Sequence, residues 1–304
     1  MSGVLEAGTA TTRREPRRAV RGRTWRRLMQ QPVAVSAGIV LAIVFVIGAI
    51  APRVAPSPQT IDLSDRWRDH APLLSGWHLL GTDALGRDLL VRTLYGLHTS
   101  EWSALEATLF ATVVGIALGG IAGYHGGWAD ALIMRLADMF GVVPAIMLLL
   151  IAGTYFIPVT VEKLTLIIAL YLWIPVARVV RAEIASLSAR EFVQSALALG
   201  ASNRRIFFRH LLPNGSSTII VAATSLLGEV IVLEATLEFL GVGVPSAEQP
   251  TLGNLIGDAQ TGSVLVGLGW WNLVAPAGTL VLILVCVNLL GDGLAEALRP
   301  ARPR

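Results

Sequence analysis

The chain has 304 residues, of which 54% are hydrophobic and 15% are charged, and its mean hydropathy is +0.64. This composition excludes an ordinary soluble domain and indicates a polytopic membrane protein. The lone cysteine, Cys286, excludes an intramolecular disulfide or a cysteine metal cluster, and the net charge of +3 hides eight arginines crowded into residues 13–27.

Residues 1–31 are basic and poor in apolar side chains, so we expect a cytoplasmic tail that lies near anionic membrane lipid and does not bind nucleic acid. Residues 32–51 carry no charge and are long enough to cross a bilayer, which predicts the first transmembrane helix. We prefer this interpretation to a cleaved signal sequence, because Pro52 directly follows the apolar run. For the basic residues 1–31, a transit peptide is the other alternative. The arginines before the helix favour a cytoplasmic N-terminus.

Residues 52–101 are polar, mixed in charge and rich in proline at their start, and we expect them to form an extracytoplasmic segment. A GTDALGRD motif lies within it, where Asp83, Arg87 and Asp88 are close enough to form ion pairs and two glycines permit a tight turn. The chemistry alone favours a salt-bridged loop folded over the membrane face. The motif residues are Gly81, Thr82, Asp83, Gly86, Arg87 and Asp88.

Five further apolar runs place a membrane core over residues 102–293, followed by a cytoplasmic C-terminal tail at residues 294–304. Gly115, Gly119 and Gly123 recur at four-residue intervals in the second span, a spacing that lets a neighbouring helix approach closely. The predicted fold class is all-α, a polytopic membrane protein with six transmembrane helices and both termini in the cytoplasm. The five runs are residues 107–129, 139–161, 164–177, 215–240 and 272–290.

Three carboxylates lie in the fifth span, at Glu229, Glu234 and Glu238. A charge inside a membrane is costly, so these side chains should face the protein interior or a water-filled path. A helix turns by about 100° per residue, which puts Glu234 and Glu238 on one face and Glu229 on another. All three are candidates for a translocation path. Hydration of Glu238 and its neighbours at the outer interface is the alternative.

A polar island at residues 186–214 interrupts the apolar runs on the cytoplasmic side. Ser188 and Glu191 have the spacing of a capping box, which predicts a helix that begins at Ala189 and ends at Gly200. We expect this island to be a docking element for a partner, because its polar side chains do not suit burial in lipid.

A second short helix is predicted to follow in the island. Ser202 or Asn203 can cap its start, and Pro213 should prevent it from continuing far. The island therefore predicts two short helices that meet at a glycine.

The sequence contains no motif for nucleotide binding or for a metal. The sole lysine, Lys163, has no glycine-rich approach and no following Ser or Thr, which excludes a P-loop. The five histidines show no metal-ligand spacing, and no Gly-x-Ser-x-Gly elbow occurs. We expect neither a metal site nor ATP hydrolysis in this chain, so energy for transport must come from a partner or from an ion gradient.

The polar island resembles the cytoplasmic EAA loop of binding-protein-dependent ABC importer permeases. Gln194 aligns with the position where an acid is usual, and Glu191, one turn earlier, is our proposed substitute for that charge. The resemblance implies that the island couples this chain to an ATPase. The implied coupling residues are Glu191, Gln194, Ser195, Ala196, Gly200, Ala201, Ser202, Asn203, Arg204, Arg209, His210 and Pro213.

The GTDALGRD motif, with segments at residues 123–138, 234–245 and 288–300, is similar to the C-type permease subunit of dipeptide and oligopeptide ABC importers. Glu238 departs from that family, in which Ser is usual. The resemblance implies the type I ABC importer permease fold, a location in the prokaryotic inner membrane and a non-catalytic role. The implied partners are a second permease subunit, two ATP-binding subunits that hold ATP and Mg, an extracytoplasmic solute-binding protein and a peptide substrate. No cofactor is expected in this chain.

Other functions stay open at this point. The same kind of importer could carry nickel, glutathione or another small solute. A gradient-driven secondary transporter could use the three carboxylates of the fifth span as ion sites. A helix-turn-helix DNA reader would not need spans on both sides of its basic helices.

Overall fold

The computed structural model describes residues 26–61, 71–72, 78–155, 159–261 and 269–298. Of the predicted tails at residues 1–31 and 294–304, residues 1–25 and 299–304 lie outside the described ranges. No β-strand occurs in the described ranges, which confirms the all-α class. The helices in chain order are α1 Pro32–Val54, α2 Leu89–His125, α3 Gly127–Gly141, α4 Ala145–Tyr155, α5 Val161–Ser188, α6 Glu191–Ala198, α7 Asn203–Ile206, α8 Leu212–Phe239, α9 Leu252–Thr261 and α10 Trp271–Leu298.

Five of these segments are long and apolar enough to cross a membrane, and the pair α3 and α4 can make a sixth, bent span. The two helices of the pair meet at 85°. Pro144 separates them, because proline lacks a backbone N–H and disfavours the helical conformation of the residue before it. The bent span therefore covers residues 127–155 and begins and ends earlier than the span predicted at residues 139–161. The predicted total of six crossings agrees with the structure when the bent pair is counted as one.

Helix α2 begins earlier than predicted, inside the segment at residues 52–101. The Asp88 side chain caps it by accepting a hydrogen bond from the Val91 N–H at 3.0 Å. The charged side chains of Arg92 and Glu101 are buried within this helix, with 2% and 5% exposure. Charges that suggested a loop are thus part of the folded core.

Helices α2 and α5 form the central pair of the bundle, and glycines bring them together. A Cβ atom at Gly115 would lie 2.6 Å from the Val176 Cβ, and one at Gly123 would lie 2.5 Å from the Arg181 carbonyl oxygen. Larger side chains would force these backbones apart, which confirms the close packing predicted from the glycine spacing. Helix α5 runs over 28 residues, well beyond the short span predicted at residues 164–177.

The remaining spans pack around this pair. Helix α1 lies against α2 and α10, where Gly293 faces Ala34 near the inner end and Gly48 faces Glu101 further out. Helix α8 packs between α5 and α10, and the short helix α9 contacts α8, α10 and α2. An ion pair between Asp138, near the C-terminal end of α3, and Arg178 of α5 joins these two helices at 2.9 Å.

Candidate functional site

The first short helix of the polar island ends at a glycine in the left-handed region. Gly200 has a φ of +77°, a conformation that costs a residue with a Cβ atom. The Gly200 N–H donates to the Leu197 carbonyl at 2.9 Å, and the Ala201 N–H donates to the Ala196 carbonyl at 3.1 Å. This pair of hydrogen bonds is a Schellman motif, so the predicted helix stop at Gly200 is confirmed.

The predicted start of that helix is wrong. Ser188 is the last residue of α5, and its hydroxyl donates to the Ala185 carbonyl at 2.9 Å instead of capping a new helix. Helix α6 begins at Glu191, behind Arg190, without a side-chain cap. The capping box does not form because α5 continues further into the island than its apolar run suggested.

The second helix of the island has the predicted cap but does not end where predicted. The Ser202 hydroxyl accepts from the Arg205 N–H at 3.4 Å. Pro213, however, lies in the first turn of α8, where its missing N–H is tolerated. A π-helical turn at Phe207–Leu211 shifts the hydrogen-bond register just before it, so Asn203–Phe239 continues as one 37-residue span.

The island is anchored on one side and open on the other. Val193, Ile206 and Leu211 are buried at 1%, 0% and 0% exposure, and they fix the two short helices to the bundle. Leu197 and Leu199 project away from it, and Leu199 is 88% exposed. Apolar side chains held outward on an anchored element form a surface suited to a protein partner.

The coupling residues predicted by resemblance mostly lie on this open side. Gln194 donates its amide to the Ser188 carbonyl at 3.2 Å, a hydrogen bond that a carboxylate at this position could not make. Glu191 is exposed at the start of α6, so its proposed substitution for the usual acid stays a prediction. The exposed members are Glu191, Gln194, Ser195, Gly200, Ser202, Asn203, Arg204, Arg209 and Pro213, whereas Ala196, Ala201 and His210 are half-buried.

The GTDALGRD motif forms a compact turn at the opposite end of the bundle. Asp83 Oδ1 accepts from the backbone N–H groups of Leu85 and Arg87, both at 2.9 Å. Asp83 Oδ2 accepts from the Arg87 side chain at 2.7 Å and also pairs with Arg92. The predicted ion pair between Asp83 and Arg87 is therefore present, in a setting that is buried.

The rest of the motif ties this turn to its surroundings. Asp88 pairs with His78 at 2.7 Å, so it does not join the cluster of Asp83. The Thr82 carbonyl accepts from the Trp271 indole at 3.1 Å, which connects the motif to the start of α10. Gly81 and Gly86 both have positive φ, as the predicted turn requires.

The three carboxylates of the fifth span are separated by burial. Glu234 and Glu238 are each 4% exposed and share the face of α8 that packs against the rest of the bundle. Glu229 is exposed on another face of the same helix. Glu234 pairs with the Ser103 hydroxyl of α2. The shared face of the pair is confirmed. Their part in a translocation path stays a prediction, and only Glu229 among them faces outward from this subunit.

Sequence reasoning missed the polar partners that α2 contributes. Arg92 donates to the Ser246 carbonyl at 3.1 Å and lies 3.7 Å from Asp258, joining α2 to the outer loop before α9 and to α9 itself. The Ser100 hydroxyl accepts from the Leu252 N–H at 3.1 Å. The available signal was the run of Ser and Thr beside Glu101, which is unusual ahead of a charge-free span.

Sequence comparison assigns most of the chain to known families. Residues 115–302 match the family described as "Binding-protein-dependent transport system inner membrane component". Residues 21–72 match the "N-terminal TM domain of oligopeptide transport permease C".

Relatives and solved structures agree with these families. The oligopeptide transport system permease protein OppC of Mycobacterium bovis is 36% identical over 91% of this chain and 93% of its own length. The protein of the same name from Haemophilus influenzae is 33% identical over 90% of this chain and 86% of its own length. A chain of the MetNI methionine ABC transporter, in an inward-facing conformation, superposes with a TM-score of 0.57 at 17% identity, over 70% of this chain and 98% of its own. This last likeness supports the fold alone.

The expected fold is confirmed: a type I ABC importer permease fold of five to six membrane spans. The matched families and the apolar helices agree in placing the chain in the prokaryotic inner membrane as a multi-pass protein. The chain therefore belongs to the binding-protein-dependent transport family, as a permease subunit of the oligopeptide C type.

Proposed function

We propose that this chain is the non-catalytic membrane subunit of an ATP-driven importer that moves di- or oligopeptides by alternating access. Its partners are a second permease subunit, two ATP-binding subunits that hold ATP and Mg, and an extracytoplasmic solute-binding protein. This chain itself holds no cofactor. The relatives named as oligopeptide permeases support peptide as the cargo.

The observation that carries the proposal is the polar island, two short helices joined at Gly200. Its base is buried through Ile206 and Leu211, and its outer side presents Leu197 and Leu199. An ATP-binding subunit needs a rigid, exposed element on which its closure can act. The island meets both requirements.

The path from the island to the membrane is direct. Helix α7, the π-helical turn and α8 form one span, Asn203–Phe239, so a displacement of the island can tilt α8. Helix α8 in turn packs on α5, α10 and α2. Rigid-body motion of these packed helices would expose the path between the two permeases alternately to each side.

A second importer function, with nickel, glutathione or another small solute as cargo, uses the same machinery. The secondary-transporter alternative differs in its energy source. In a secondary transporter, the exposed Glu229 would be the ion site, because the other two carboxylates of α8 are buried.

Proteoliposomes separate these functions. The complete complex with its binding protein should accumulate a labelled peptide only when ATP is enclosed on the side of the ATP-binding subunits. Liposomes that contain this chain alone should accumulate none under a proton gradient. Gradient-driven uptake by the chain alone would refute the ATP-driven importer. ATP-driven uptake of nickel or glutathione without peptide uptake would show that the cargo is that solute and not a peptide.

A further inference from the structure

An apolar groove of about 390 Å³ lies between the inner end of α2 and the start of the long span Asn203–Phe239. Ile121 and Tyr124 of α2 form one side of the groove, and Phe207 and Phe208 form the other. The described residues that line it include no carboxylate. None of the functions assigned above uses this groove.

The aromatic wall of the groove is held in place by its neighbours. The Phe207 ring packs so closely on Gly120 that a Cβ atom added there would lie 2.6 Å from the Phe207 Cζ. Phe207 also meets Phe208 edge to face, with ring centroids 5.1 Å apart. The Tyr124 hydroxyl donates to the Asn203 side-chain oxygen at 3.0 Å and ties α2 to the polar island. The groove is therefore preformed, which lowers the cost of ordering it when a ligand binds.

The groove continues an apolar surface of α2. Four exposed apolar side chains recur at four-residue intervals along this helix, at Leu109, Val113, Ala117 and Ile121. Residues four apart lie on the same face of a helix, so these side chains form one stripe, and its last two members line the groove. Because α2 is a membrane span, this stripe suits contact with lipid acyl chains, which are as apolar as leucine.

The mouth of the groove is positively charged. Arg204 lines the groove and is exposed, and Arg205 beside it is also exposed. Neither arginine forms an ion pair with another residue in the described ranges. The two carboxylates of α3 are engaged by Arg178 and Arg181, and Glu191, the acid of the island, lies outside the lining. An anion from outside the chain would therefore balance the charge of Arg204.

We propose that this groove binds an anionic phospholipid of the inner leaflet, with an acyl chain against Phe207 and Phe208 and the phosphate at Arg204. Apolar surface beside a cation at the inner end of a membrane span matches a lipid, which joins an acyl chain to a phosphate in one molecule. A free phosphate would use only the arginine, and a zwitterionic lipid would bring its own cation to the same place. A lipid bound here contacts α2 and the second helix of the island together, so it braces the island from the membrane side.

The test uses phosphatidylglycerol and phosphatidylcholine that carry the same photoreactive acyl chain. Each is added in trace amount to vesicles of unlabelled phosphatidylcholine that contain the complex of this chain and its partner subunits. Mass spectrometry then quantifies the lipid cross-linked to residues 117–125 and 203–208, relative to the amount of complex. Phosphatidylglycerol should label these segments about fivefold more than phosphatidylcholine, as expected for one arginine close to an anionic lipid.

Two pairs of variants test the arginine and the groove separately. Arg204→Gln should remove the preference for phosphatidylglycerol, whereas Arg190→Gln, at an exposed arginine of the island outside the groove, should keep it. Ile121→Trp should fill the groove and prevent labelling by either lipid. Val113→Trp introduces the same side chain two turns earlier on the exposed stripe and should leave the labelling unchanged.

Three results would overturn the inference. The first is equal labelling by the two lipids in the unmodified complex, and the second is equal loss of labelling in Ile121→Trp and Val113→Trp. The third is an absence of label from these segments while the lipid cross-links elsewhere on α2, which would show that a partner subunit covers the groove. Excess glycerol phosphate, which has no acyl chain, should not compete, and competition by it would assign the site to a free phosphate instead of a lipid.

Discussion

Asp83 organises the outer end of the bundle at the scale of single residues. One of its carboxylate oxygens holds the turn through the backbone of Leu85 and Arg87, and the other receives the two guanidinium groups of Arg87 and Arg92. The Arg92 side chain is only 3% exposed. A buried cation depends on its partner, because removal of the partner leaves a desolvated charge without compensation.

We therefore expect Asp83→Asn to destabilise the protein strongly. Asparagine can keep the hydrogen bonds of the turn, but it removes the carboxylate that Arg87 and Arg92 share and leaves Arg92 only the more distant Asp258, at 3.7 Å. A loss of about 3–5 kcal/mol should lower the melting temperature of the detergent-solubilised protein by roughly 5–10 °C. Asp138→Asn is the matched control, since it breaks an ion pair whose side chains are 49% and 63% exposed and should change the melting temperature little. Equal shifts in the two variants would show that burial does not decide the contribution.

The same cluster shows what the sequence can reveal about individual residues. The pair of Asp83 and Arg87 was predictable because the two residues lie only four positions apart, across a turn that contains a glycine. Arg92 and Glu101 were not, because a charge in the sequence suggests solvent unless its distant partners are known. Ser246 lies 154 positions from Arg92, and only the folded chain brings them together.

At the scale of secondary-structure elements, helices α2 and α5 pack closely where the regularly spaced glycines of α2 lie against α5. A Cβ atom at Gly119 would lie 2.9 Å from the Ala177 Cα, which is backbone and cannot move aside as a side chain can. The α2–α5 contact therefore tolerates no added carbon at this position without a shift of a whole helix.

We expect Gly119→Ala to cost about 1–3 kcal/mol through overpacking, seen as a lower melting temperature of the solubilised protein. Gly278→Ala provides the control, because no atom lies within 4 Å of its added Cβ and alanine favours a helix over glycine. That variant should match or exceed the unmodified protein. Comparable destabilisation by both substitutions would contradict the packing argument.

Element boundaries were harder to predict than element number. Apolar runs reveal where lipid can surround a helix, but they do not reveal how far the helix continues beyond the lipid. For this reason α2 begins at Leu89 and α5 ends at Ser188, outside their apolar runs. Pro213 was wrongly predicted to stop a helix, because it lies in the first turn of α8, where a proline does not end the helix.

At the scale of the whole molecule, the described chain has two polar ends joined by apolar helices. The outer end contains the Asp83 cluster and the buried Glu238, and the inner end contains the island at Gly200. Helix α8 reaches both, because the span Asn203–Phe239 begins in the island and its last turn carries Glu238. Motion imposed at the island can therefore be transmitted to the outer end of the bundle along one continuous element.

We propose that ATP hydrolysis is coupled to uptake through this element, and substitution of Gly200 tests that coupling. Valine at a φ of +77° is strained by about 1–3 kcal/mol, whereas asparagine tolerates the left-handed region. A Cβ atom added at Gly200 meets no atom within 4 Å beyond its chain neighbours, so the comparison of the two substitutions tests the backbone conformation.

The measurement is ATP-driven peptide uptake by reconstituted complexes that carry each Gly200 variant, at equal amounts of membrane-inserted chain. We predict that Gly200→Asn retains most of the uptake and that Gly200→Val loses about tenfold, as expected for a strain of ~1.4 kcal/mol in the docked element. Uptake by Gly200→Val equal to that of the unmodified complex would show that the helix end at Gly200 takes no part in the coupling.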